Sequence, residues 1–200
     1  MSTRNRTSSN IIGYGLYLYF IGLSFRNTSK ALSFLKIAKI SHVSIWNWIQ
    51  KYKPWKYLRR RKINEYVIDE TVVKSGSELI WLWVVIEPTN KQILSFRISK
   101  EQNMFVAERV LSDVVNKYGL HSVSSDGGTW YPQACKFLKL KHHLHSYFEK
   151  SIIERTMQYI KDRTKSFDDY FPCRKNKCKL QHIRQWFKLF VYEHNIEKIS

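Results

Sequence analysis

Two hundred residues with an apolar share of 44% can bury an ordinary core, which excludes wholesale disorder. Thirty-four Lys and Arg against 16 Asp and Glu give a net charge of +18, too lopsided for a surface kept merely soluble by mixed charges, and point to a polyanionic partner. The surplus is uneven: thirteen basic residues and no acid precede Glu65, leaving twenty-one basic residues against all sixteen acids from there on.

The first third reads as three helices in a basic, nucleic-acid-binding arm. Residues 11–21 carry Ile12, Leu16, Tyr19 and Phe20 at helical spacing. Residues 11–25 are uncharged, but they are too short to span a bilayer and no small-residue cleavage site follows, so a buried helix is expected rather than export. A second helix opens at Leu23–Arg26, with Ala31, Leu32, Phe34 and Leu35 toward a core. Ser41 is placed to cap a third helix through Val43, Ile45, Trp46, Ile49 and Tyr52, which ends before Pro54. Two short helices joined by a turn fit a helix-turn-helix, with Ser41, His42, Ser44 and Asn47 facing a DNA groove; a plain three-helix unit has the same periodicity. Residues 51–62, with Lys51, Arg59, Arg60 and Arg61 among their basic side chains, suit a connector along a phosphate backbone. The expected division is a DNA-binding domain over 1–53, a basic linker over 54–64 and a second domain over 65–200.

From Glu65 the period becomes two. Strands are predicted over 66–73, 79–86 and 93–98, joined by short turns, then a helix over 103–117 with Phe105, Val106, Val110, Leu111, Val114 and Val115 on its core side. A strand over 121–125 leads to Asp126-Gly127-Gly128, followed by a helix over 129–137, a strand over 141–145, and helices over 149–163 and 180–194. That order predicts an α/β fold, a mixed sheet flanked by helices.

Three acids stand out. Asp69 lies inside an apolar strand, where an unpaired carboxylate is costly. Asp126 ends a strand at a glycine turn, and Glu154 sits on a helix between Ile153 and Met157. Converging, they would suit Mg²⁺, a hard cation that takes oxygen ligands and shares them with phosphates. Singly, each has an ordinary reading as turn chemistry or surface charge.

Val67-Ile68-Asp69-Glu70-Thr71, Trp81-Leu82-Trp83, Ser125-Asp126, and Ile153-Glu154 with Lys161 seven positions on resemble the DDE transposases of prokaryotic insertion sequences, nearest the short archaeal form of the insertion-sequence-six family. The likeness runs from about Gly15 to about Asn195. It implies a ribonuclease-H-like fold, catalytic Asp69, Asp126 and Glu154 holding two Mg²⁺ (or Mn²⁺) ions, and Lys161 against a phosphate. It also implies hydrolysis that frees a 3′-hydroxyl at each element end and its attack on target DNA. The partners implied are the terminal repeats, target DNA and at least one further copy of the chain, in a prokaryotic cytoplasm at the nucleoid and not at a membrane. Twenty-seven residues separate Asp126 from Glu154, fewer than is common in the family, which predicts a shortened loop before the last strand. A chain that binds DNA without reacting, or a related nuclease that cuts without joining, shares these residues; meeting or separated carboxylates distinguish the first of these.

Other residues read more plainly. His142, His143 and His145 could suggest a metal cluster, but His143 and His145 share a face of their strand and His142 does not, which suits structural or DNA-proximal roles. Cys173, Cys178 and His182 lack a fourth zinc ligand, and three cysteines make no even disulfide framework, as in a reducing compartment. Glu70 is expected on the face opposite Asp69 in a supporting role, Asp162, Asp168 and Asp169 as solvated charges, and Trp130-Tyr131-Pro132 as packing near the acids.

Overall fold

The computed structural model describes residues 7–52, 62–75, 78–165 and 180–198. Arg59, Arg60, Arg61, Asp168, Asp169, Cys173 and Cys178 lie outside the described residues. Three helices come first, α1 (Ser9–Phe20), α2 (Phe25–Phe34) and α3 (His42–Lys51). Each is opened by a serine, Ser8, Ser24 or Ser41, whose hydroxyl accepts a first-turn backbone N–H. Leu16, Leu32, Ile45 and Ile49 are fully buried, but Phe34 and Leu35, expected toward a core, are exposed, as is Val43 of the third helix. The inner side of α2 is set by Thr28 and Leu32, and Phe34 lies about 200° around the helix from Leu32. Val43 bears the same relation to Ile45. Residues 35–41 connect α2 to α3, more than the roughly three- or four-residue turn of a compact helix-turn-helix. Lys36 turns the chain at φ 55°, and the Ser29 hydroxyl donates to the Ile40 carbonyl at 2.5 Å.

Five strands follow: β1 (Glu65–Ser75), β2 (Glu78–Ile86), β3 (Ile93–Ser99), β4 (Ser122–Ser125) and β5 (His142–Leu144), in the spatial order β3-β2-β1-β4-β5. The first three form an antiparallel meander, and β4 and β5 add in parallel beside β1. This is the mixed, ribonuclease-H-like sheet the resemblance implied. Alternation along the strands sorts side chains into two cores. Val67, Leu82, Val84 and Ile86 point into one beneath α6 (Tyr147–Lys165) and α7 (Leu180–Glu197). Ile68, Trp83 and Val85 point into the other beneath α4 (Met104–Tyr118) and α5 (Trp130–Phe137). Phe105, expected on the core side of α4, is exposed, because the buried stripe runs through Val106, Ala107, Val110, Leu111 and Val114.

The helical arm shares the first core: Leu16, Tyr19, Phe20 and Ile49 pack with Ile153, Met157 and Trp186. Two polar contacts fix the docking. The Trp186 indole donates to the Tyr19 hydroxyl at 3.2 Å and the Arg163 guanidinium to the Tyr19 carbonyl at 2.5 Å. The start of edge strand β3 is covered by Asn195 of α7, whose amide accepts from Ile93 N–H and donates to Ile93 C=O, both at 2.9 Å. Among the described residues no helix is long and apolar enough to cross a membrane.

Candidate active site

The parallel pairing of β1 with β4 sets the site. Glu65 pairs with Ser122 and Val67 with Ser124, so two positions further along both chains Asp69 stands level with Asp126. Asp126 emerges where β4 ends, and its Oδ1 accepts the Gly128 N–H at 3.0 Å. Gly127 makes the turn at φ 93°, a conformation that strains a side-chain-bearing residue.

Asp69 is partly buried, and its Oδ1 accepts the Glu70 N–H at 2.8 Å. Burial pushes its carboxyl up to about 7, and the negative charges of Glu70 and Asp126 push the same way. The Glu70 N–H and the Lys161 ammonium oppose the shift without cancelling it. The carboxylates therefore repel one another in a partly desolvated spot, an arrangement that a cation relieves.

Helix α6 supplies the other wall. Ile153, Met157 and Ile160 are buried against the sheet, which leaves Glu154 and Lys161 exposed on the rim. Asp69, Glu70, Thr71, Glu154, Met157, Gln158 and Lys161 line one depression. Lys150, one turn before Glu154, approaches its carboxylate at 3.9 Å, an exposed pair of little energetic weight. Asp69 is thus the common member, beside Asp126 along the sheet and facing Glu154 and Lys161 across the depression.

Glu70 points the other way, as alternation predicts. Its carboxylate accepts from the buried Tyr131 hydroxyl and from Gln102 Nε2, the latter at 2.7 Å, which ties β1 to α5 behind Asp69. The three histidines are held individually. Ser125 Oγ is 2.9 Å from His142 Nε2, Ser124 Oγ is 2.7 Å from His145 Nδ1, and His143 lies between Glu65 and Glu149. Glu65 and Glu149 were not among the residues expected near the site. The Ser146-x-x-Glu149 spacing of a capping box was the available signal: Ser146 N–H donates to Glu149 Oε2 at 2.6 Å and Glu149 N–H to the Ser146 hydroxyl at 3.3 Å.

In the arm, His42 is exposed, Ser44 and Asn47 are partly covered, and Ser41 is occupied as a cap, 3.0 Å from the Ser44 hydroxyl. Lys51 is exposed at the end of α3.

Residues 64–195 match the family described as a DDE domain. The uncharacterized protein MJ0017 of Methanocaldococcus jannaschii is 31% identical over 197 residues, 96% of this chain and 88% of that protein. The transposase for insertion sequence element IS257 in transposon Tn4003 of Staphylococcus aureus is 24% identical over 164 residues, 76% of this chain and 72% of that one. Among solved structures, a chain of the simian T-cell lymphotropic virus intasome in complex with PP2A regulatory subunit B56 gamma superposes with a TM-score of 0.50 at 17% identity, over 80% of this chain and 67% of that chain. That last likeness is one of fold.

Proposed function

Because the chain belongs to the DDE-domain transposases of prokaryotic insertion sequences, we propose that it cuts and joins DNA at the ends of such an element. The observation that carries this reading is the β1–β4 register, which sets Asp69 level with Asp126 while Asp69 shares a depression with Glu154 and Lys161. Asp69, Asp126 and Glu154 offer only carboxylate oxygens, and the raised Asp69 carboxyl marks a place short of positive charge, so the donor set fits Mg²⁺ or Mn²⁺. Such ions, when bound, supply positive charge to a phosphate undergoing in-line displacement.

The chain's own residues do the rest. Asp69 and Asp126 fix the site on the rigid sheet edge, and Glu154 closes it from α6. Lys161, two helical turns beyond Glu154, takes a phosphate oxygen of the DNA. In the first step water forms a P–O bond as the bond to the 3′-oxygen of the element end breaks, and that oxygen leaves as a hydroxyl. In the second the 3′-hydroxyl forms a bond to a target phosphorus, one target P–O bond breaks, and the hydroxyl proton passes to the leaving oxygen through solvent. Residues 1–53, with Ser41, His42, Ser44, Asn47 and Lys51, serve as the DNA-binding arm, and Arg59, Arg60 and Arg61 as its basic linker. Two element ends call for at least a dimer.

The test is strand transfer by purified protein with Mg²⁺ or Mn²⁺ and a labelled duplex carrying the element's own end, alongside Asp126→Asn. Joined product that disappears in the variant is expected. Folded, DNA-binding wild type that yields no product in either metal sinks the reading.

A further inference from the structure

A second group of metal-ligating side chains stands on the α6 side of the sheet. Glu65 opens β1, four residues before Asp69 and so roughly 13 Å from it along the strand. His143 comes from β5 and Glu149 from the first turn of α6, and the ligand atoms of all three lie within 4.8 Å of one another. The carboxylates are positioned from behind. Glu149 is 6% exposed, and its Oε2 accepts the Ser146 N–H at 2.6 Å and the Ser124 hydroxyl at 3.0 Å. Glu65 Oε1 accepts the Ser122 hydroxyl at 2.8 Å.

His143 Nε2 stands 3.3 Å from Glu149 Oε1 and 3.4 Å from Glu65 Oε1. The nearer gap is a long hydrogen bond, and a single imidazole N–H cannot serve both carboxylates fully. Both gaps also match the spacing of ligands around one ion. Around a tetrahedral cation with bonds of about 2.0–2.2 Å, neighbouring ligand atoms stand about 3.4 Å apart. We propose that Glu65, His143 and Glu149 form a second divalent-cation site, separate from the Asp69 carboxylates. Imidazole with two carboxylates suits Zn²⁺ or another first-row ion better than Mg²⁺, which takes oxygen alone. Ser122, Ser124 and the Ser146 N–H act as the outer shell that aims the ligands.

The ion would tie β1, β5 and the first turn of α6 together. By steadying the helix that bears Glu154 it would also brace the proposed catalytic carboxylates, an effect that depends on the proposed function.

The experiment uses the full chain with Asp69→Asn and Asp126→Asn, which silences the proposed catalytic carboxylates. Zn²⁺ is titrated by calorimetry, melting is followed with and without it, and Co²⁺ is added as a spectroscopic substitute. One Zn²⁺ per chain, a melting point raised by several degrees, and visible Co²⁺ bands without thiolate charge transfer are expected. His143→Asn, at an exposed position, and Glu65→Gln, which keeps the shape of a largely covered side chain, should each weaken binding by at least about tenfold and remove the melting shift while circular dichroism stays unchanged. Zn²⁺ that binds these variants as well as their parent, thiolate bands with Co²⁺, or no binding at all would overturn the proposal. Neither arm depends on strand transfer, so failure here leaves the catalytic reading standing, and the reverse.

Discussion

Replacing Asp69 with asparagine should make the cation-free chain more stable at alkaline pH. The Asp69 carboxyl is displaced from 3.8 to about 7, chiefly by burial and then by the Glu70 and Asp126 charges. Below the lower value both folded and unfolded chains hold the proton. Between the two only the folded chain holds it, so stability falls as pH rises through this window, and the loss is complete above about 7. The full displacement corresponds to about 4 kcal/mol, at about 1.4 kcal/mol per pH unit. Because Asp69 is partly open to water, screening brings this to about 2 kcal/mol. Asparagine keeps the shape and removes the charge. At about pH 8 in chelator, Asp69→Asn should therefore melt about 4–8 °C above wild type in calorimetry. The gain should shrink toward about pH 5, where the folded wild type carries its proton. Adding Mg²⁺ should narrow the difference by stabilising wild type at the higher pH only. An unchanged or lower melting point at pH 8, or a gain independent of pH, would show that ionised Asp69 is not strained.

Three further substitutions probe the frame around the site. Tyr131→Phe removes a buried donor from Glu70 and should cost about 1.5–3 kcal/mol in urea unfolding; an unmoved midpoint would mean that Gln102 alone satisfies the carboxylate. Gly13 and Gly15 share α1 but not their surroundings: a Cβ on Gly13 meets nothing within 4 Å, whereas one on Gly15 falls 2.6 Å from the Trp48 ring. Gly13→Ala should stabilise by about 0.5–1 kcal/mol and Gly15→Ala should destabilise by about 1 kcal/mol or more, so equal melting points would contradict the packing of α1 on α3. Asn195→Ala strips both bonds from Ile93 and should cost about 1–3 kcal/mol, with faster hydrogen exchange at the Ile93 amide as the local readout.

Much of this protein follows from the chain alone, because secondary-structure period is set by local geometry. The helix predicted over 103–117 is found as Met104–Tyr118, and the apolar strand over 79–86 as Glu78–Ile86. Ser41 caps its helix as expected, since a cap needs only a serine and the N–H three residues on. Asp69 and Asp126 were legible as acids in costly or conspicuous places. Their standing level with each other was not, because the β1–β4 register joins segments more than fifty residues apart and is chosen by packing across the sheet. The same holds for helix phase where a partner decides it: Phe34, Val43 and Phe105 are as apolar as their buried neighbours, yet face outward. The meeting of Glu65 with His143 and Glu149 belongs to tertiary structure: β5 and α6 follow one another in the chain, but β1 lies far before them, and no spacing in a sequence records which strand will lie beside which.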